Sequence, residues 1–133
     1  MTSSLQHVSA LSLFVEDLQA AKTFYQEVFG VSVIFEDASS VAVRFGNLIV
    51  NLLQVNSAGE IVAPGLVATA DAGSRFQLSI WVPDVDAVYE RLGGLGLALN
   101  GPIDRPWGMR TINFVDPAGH SWEVAQQVEG GTA

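Results

Sequence analysis

The chain has 133 residues, 49% apolar and 15% charged, which suits one globular domain with a buried core and not a disordered chain. It has no cysteine, so disulfides, zinc–thiolate sites and thiol nucleophiles are excluded. Six Lys and Arg against fourteen Asp and Glu give a formal charge of −8, which argues against nucleic acid as a partner, because phosphates would be repelled.

No apolar run approaches a membrane span, and no basic stretch precedes an apolar one near Met1, so no membrane partner and a cytoplasmic location are expected. Residues 8–15 alternate as a strand, with Leu11, Leu13 and Val15 on one face and Ala10, Ser12 and Phe14 on the other. Asp17 caps a helix whose apolar stripe is Leu18, Ala21, Tyr25, Val28 and Phe29, and Gly30 ends it. Three short strands follow at 31–36, 41–45 and 48–54, turning at Ser39-Ser40 and Gly46-Asn47.

Residues 55–75 are rich in Ala, Gly and Ser and read as a connection, either a linker or a functional flap. Its apolar centre, Ile61-Val62 and Leu66-Val67, suits packing on a pocket rim or a partner subunit. A strand at 76–82 then leads to a helix capped by Asp84, with the stripe Val85, Val88, Tyr89 and Leu92, stopped by Gly93-Gly94 and Gly96. Strands near 97–103, 109–115 and 121–126 complete the half. Asp116-Pro-Ala-Gly119 forms the last hairpin as a type I turn, and residues 129–133 read as a frayed tail.

The two halves are copies. Shifting Leu11–Ala20 by 67 positions aligns Leu11, Ser12, Val15, Asp17 and Ala20 with Leu78, Ser79, Val82, Asp84 and Ala87, and Phe14 with Trp81. Repetition at half the chain length predicts two supersecondary units. The expected fold class is α+β, with two tandem βαβββ modules over about 5–54 and 76–128.

These modules, the strand-Asp-helix start of each, Phe24-Tyr25…Gly30, and Asp116-Pro-Ala-Gly-His-Ser-Trp-Glu-Val124 preceded by Trp107-Gly-Met-Arg110 resemble the vicinal oxygen chelate superfamily. That group holds glyoxalase I, extradiol dioxygenases, fosfomycin-resistance enzymes and bleomycin-resistance proteins. The final segment is most similar to the glyoxalase/bleomycin-resistance branch. The resemblance implies half-barrel sheets whose concave faces enclose a cavity, and a homodimer. It also implies a divalent metal held by the first and last strands of each module, acting as a Lewis acid.

In metal-binding relatives the first-strand ligand stands seven residues before the helix-starting Asp, which here gives Ala10 and Gln77. Ala cannot bind a metal and Gln is a weak neutral donor. Glu123 occupies the last-strand slot of the second module. Asn51 is the choice in the first, with Val50 and Leu53 as the alternatives. His7 and His120 each lie three residues from a slot, on the opposite face of the strand, about 10 Å away at about 3.3 Å per residue. No metal or other cofactor is therefore expected.

Alternation then places Ser12, Phe14, Ile49, Ser79, Trp81 and Ser121 beside the slots, while Leu11, Leu13, Phe76, Leu78, Ile80, Trp122 and Val124 face the helices. The expected ligand-binding residues are Phe14, Asn51, Gln77, Ser79, Trp81, Trp107, Arg110 and Glu123, with Trp107 and Arg110 as a clamp for a flat or anionic ligand. Arg44 is assigned to neither face.

Two functions follow from the resemblance. One is a metal-independent receptacle that sequesters an aromatic or cationic small molecule, an antibiotic among the candidates, as bleomycin-resistance proteins do. The other is a lyase, isomerase or dioxygenase using Glu123, the one weak catalytic candidate, either as a ligand to a metal completed by amides and water or, without a metal, as acid or base. No nucleophile–base pair or second carboxylate accompanies it.

Overall fold

The computed structural model describes residues 5–128, and the expected tail at 129–133 lies outside them. The chain divides into two compact units, Met1–Ala72 and Gly73–Ala133, each built on one four-stranded mixed sheet.

The first unit runs β1 (Ala10–Val15), α1 (Leu18–Phe29), β2 (Ser32–Glu36), β3 (Ser40–Arg44), β4 (Ile49–Gln54) and α2 (Val55–Val62). Its sheet order is β1-β4-β3-β2, with β1 parallel to β4 and the remaining pairs antiparallel. The Asp17 carboxylate accepts from Ala20 N at 3.0 Å and starts α1. Gly30, at φ 66°, takes the left-handed turn that ends it and donates to Gln26 O. One sheet face meets α1: Leu13, Val15, Val41, Val43, Val50 and Leu52 are buried, as are Leu18, Ala21, Tyr25 and Val28 on the helix. Glu36, level with Val41, bonds Lys22 and Gln19 on α1, which fixes the side that the helix covers.

The connection expected to be structureless is corrected over its first third. Residues 55–62 form α2, whose Ala58 is fully buried, and the helix packs against β1 and β4. A short 3-10 turn at Ala70–Ala72 follows.

The second unit repeats the plan with β5 (Gln77–Trp81), α3 (Val85–Gly94), β6 (Asn100–Asp104), β7 (Met109–Val115) and β8 (Ser121–Gln127), in the order β5-β8-β7-β6. Asp84 caps α3 by accepting from Ala87 N at 3.1 Å, and Gln126 Oε1 accepts from Val85 N at 2.9 Å. Val85, Leu92, Ile112, Phe114, Trp122 and Val124 form the core. Phe76 does not join it: it precedes β5, is 49% exposed and lies beside the His120 ring. The β6–β7 register breaks between Asn100 and Ile103, where Gly101 (φ 114°) comes so near β7 that a Cβ would stand 2.5 Å from Thr111 O.

Candidate functional site

Strand alternation leaves each sheet a second face, away from its helix. In the first unit that open face carries Ala10, Ser12 and Phe14 from β1, Ile49, Asn51 and Leu53 from β4, and Arg44 and Ala42 from β3. Asn51 lies level with Ser12 and donates to its Oγ at 3.5 Å. Arg44, unassigned from sequence, stands here beside Ile49 and is exposed.

The open face of the second unit is more polar. Gln77, Ser79 and Trp81 of β5 lie level with Ser121, Glu123 and Ala125 of β8. Val115, Asn113 and Thr111 of β7 continue the same rows. Gln77 Nε2 donates to Ser121 Oγ at 3.1 Å, and Ser79 Oγ donates to Glu123 Oε1 at 2.9 Å. Trp81 is 71% exposed, so its indole is not core filling.

The two registers are equivalent. Ser12 pairs with Asn51 as Ser79 pairs with Glu123, so Asn51, rather than Val50 or Leu53, is the first-unit counterpart of Glu123.

Arg110 departs from the expectation. It is level with Gln126 on the helix side of the sheet, where it bonds Asp86 of α3 at 3.1–3.2 Å and Asp104 at 3.0 Å. Those carboxylates, Asp104 first, raise its pKa. The guanidinium on the open face belongs to Arg105. Its Nε donates to Thr111 Oγ1 at 3.0 Å and its Nη2 to Asn113 Oδ1 at 3.4 Å, and its Cζ is 6.0 Å from the Trp107 ring centroid. The β6–β7 turn positions it: Arg105 N donates to Met109 O, and Gly108 N donates to Arg105 O. Sequence reasoning missed Arg105, Thr111 and Asn113. Asn113 could have been found, being level with Glu123 on the next strand.

The two histidines stay out of this face. His120 Nδ1 lies 2.8 Å from Asp116 Oδ2 inside the last hairpin, and His7 is exposed ahead of β1.

The donor set does not fit a catalytic metal. The first-unit slots offer a methyl group and one amide oxygen, and the second offers an amide and the Glu123 carboxylate. Zinc, nickel and iron sites draw on imidazoles and several charged donors. Among the described residues no group of three or more His, Asp or Glu could hold a metal ion. What the face offers is a set of binding groups: an exposed indole at each side of the sheet, Trp81 on β5 and Trp107 in the β6–β7 turn, a carboxylate at Glu123, a cation at Arg105, and hydroxyl and amide groups on the strands between.

A family model described as Glyoxalase/Bleomycin resistance protein/Dioxygenase superfamily matches residues 4–124. A solved structure of a glyoxalase/bleomycin resistance protein/dioxygenase from Nocardioides is 25% identical, with 98% of this chain and 93% of that one covered and a TM-score of 0.82. Lactoylglutathione lyase from Agrobacterium tumefaciens is 23% identical over 90% of this chain and 92% of its own, with a TM-score of 0.73. The fosfomycin resistance protein FosX from Mesorhizobium loti is 21% identical over 93% and 94%, with a TM-score of 0.68. At the last two identities the likeness shows the fold alone.

Proposed function

The chain belongs to the glyoxalase/bleomycin resistance protein/dioxygenase superfamily, and from that premise we propose that it is a metal-independent binding protein for an aromatic small molecule. The observation that carries this is the open face of the second sheet. There Trp81 stands 71% exposed, two residues along β5 from the Ser79–Glu123 hydrogen bond, without the ligand set that the fold's metal chemistry needs. A bare indole in water costs solvation that a flat ligand would relieve by stacking. Glu123 orients the ligand or offsets a positive group on it, and Gln77 and Ser121 add polar contacts. Residence in the cytoplasm and assembly as a homodimer, at twice the 14.1 kDa chain mass, complete the proposal.

The catalytic reading has less to support it: the side chain bonded to Glu123 is the Ser79 hydroxyl, and no second carboxylate or imidazole stands level with it on the neighbouring strands.

Tryptophan fluorescence tests the proposal. A panel of aromatic compounds, neutral, cationic and anionic, is titrated into the full chain and into Trp81→Ala, Trp107→Ala and Glu123→Gln. Trp81→Ala is expected to weaken any hit at least about tenfold while changing stability by no more than about 0.5 kcal/mol, as for an exposed side chain. Hits unaffected by all three substitutions would sink this site.

A further inference from the structure

We infer that Arg105 is an oxyanion subsite, so that the ligand of this face is an aromatic compound bearing a carboxylate or phosphoryl group. The inference rests on reading the face as a small-molecule receptacle, and it narrows the class of molecule.

The argument starts from two arginines five positions apart. Arg110 spends its charge on Asp86 and Asp104. Arg105 meets no carboxylate among the described residues, and the partners of its side chain are the neutral Thr111 hydroxyl, the neutral Asn113 amide and the Trp107 ring. In a chain of net charge −8, a half-buried cation without an anion is the exception. Such a group keeps its electrostatic demand for whatever approaches it.

The geometry also says which edge is free. A guanidinium has five N–H donors in a planar fork. Thr111 and Asn113 occupy the Nε–Nη2 side, taking one donor from each nitrogen. The end of the fork, with both Nη1 donors and the second Nη2 donor, is left over. That end presents two parallel N–H groups, which match the two oxygens of a carboxylate or phosphoryl group.

The anchoring is rigid. Thr111 is wholly buried in the middle strand pair, and the Arg105 backbone is held to Met109 at 2.7 Å. Pre-organisation of this kind lowers the entropy lost on binding. Trp107 borders the cation, so an aryl ring carrying the oxyanion could stack there. Glu123, level with Asn113 on the neighbouring strand at a strand spacing of about 4.8 Å, would meet a donor or a positive group further along the same molecule.

The test uses the full chain with benzoate, phenylphosphonate, benzyl alcohol and inorganic phosphate, read by tryptophan fluorescence and thermal shift. At least one aromatic anion should bind about tenfold or more tightly than benzyl alcohol, and the better of the two tells carboxylate from phosphoryl. Arg105→Gln should abolish the preference. Arg105→Lys keeps the charge without the fork, should keep only part of the preference, and serves if the Gln variant does not fold. Arg110→Gln removes the same charge from the opposite side of the sheet and should change nothing.

Neither benzoate, phenylphosphonate nor phosphate favoured over benzyl alcohol in the natural chain, full preference retained in both Arg105 variants, or equal loss in Arg110→Gln would each overturn the subsite. The two readings fail separately. Benzyl alcohol that binds with no anion preference leaves the receptacle and removes the subsite. Phosphate that stabilises the chain through Arg105, with no aromatic compound bound, leaves the subsite and removes the receptacle.

Discussion

Thr111 is a buried polar side chain, 0% exposed, whose oxygen serves one partner, Arg105 Nε. Replacing it with Val preserves the shape and removes the acceptor, so a half-buried charged N–H loses its partner. Leaving such a donor unsatisfied costs about 1–3 kcal/mol. Thr111→Val should therefore lower stability by that amount in urea unfolding, with little change in the denaturant slope, and should weaken any anion bound at Arg105. A loss under about 0.5 kcal/mol would mean that Arg105 is not held as described. The same residues show what the sequence reveals at this scale. Alternation put Gln77, Ser79, Trp81 and Glu123 on one face, because strand parity survives from sequence to structure. It misassigned the guanidinium beside Trp107. Arg110 lies within β7 at the parity of the buried Ile112 and Phe114, so its helix-side place could have been counted along that strand. Parity cannot be counted through the Arg105–Gly108 turn, where the Gly108 N–H closes on Arg105 O at 3.1 Å, and Arg105 there reaches back over Thr111 and Asn113.

At the scale of elements, α1 and α3 begin alike, with Asp17 and Asp84 each accepting from the amide three residues on. Each cap should be worth about 1 kcal/mol to its helix, and Asp17→Ala and Asp84→Ala should lose that much in thermal or urea unfolding. Asp84→Ala should lose less if the Gln126 contact to Val85 N holds the first turn of α3. A second link, Lys22–Glu36 at 2.7 Å, joins α1 to the edge strand β2. The Lys22 hydrogen bond, with help from Gln19, holds the Glu36 carboxyl below its usual 4.5. A depressed carboxylate contributes stability above the unfolded value and loses it as pH falls through the folded one. Lys22→Met should flatten the decline of stability below about pH 4.5, and NMR titration should show Glu36 moving back towards its ordinary value. Unchanged titration in the variant would remove Lys22 as the cause. The caps and Gly30 were legible because they occupy fixed places around a periodic stripe. Helix α2 was not: Val55–Val62 includes Asn, Ser and Gly, it has no side-chain cap, and its buried residue is an alanine. What holds it is packing against β1 and β4, a tertiary fact that local propensity does not encode.

For the molecule as a whole, duplication decides both the fold and the chemistry it can support. Ser12–Asn51 and Ser79–Glu123 are one pair in two copies, and only the second copy holds a carboxylate. A divalent metal that bound the native state would stabilise it by mass action, by about 2.7 kcal/mol at a hundred times its dissociation constant, and the melting temperature would rise by several degrees. With Ala10 supplying no donor and Asn51 and Gln77 supplying amides, nickel and zinc at millimolar concentration should raise the melting temperature of chelator-treated protein no more than magnesium does. Magnesium is the necessary control, because a chain of charge −8 attracts any divalent cation weakly. A rise of several degrees specific to nickel or zinc, lost in Glu123→Gln, would overturn the metal-independent reading. The same rise retained in Glu123→Gln would point to adventitious binding at His7 or His120, the chain's two imidazoles, and leave the reading in place.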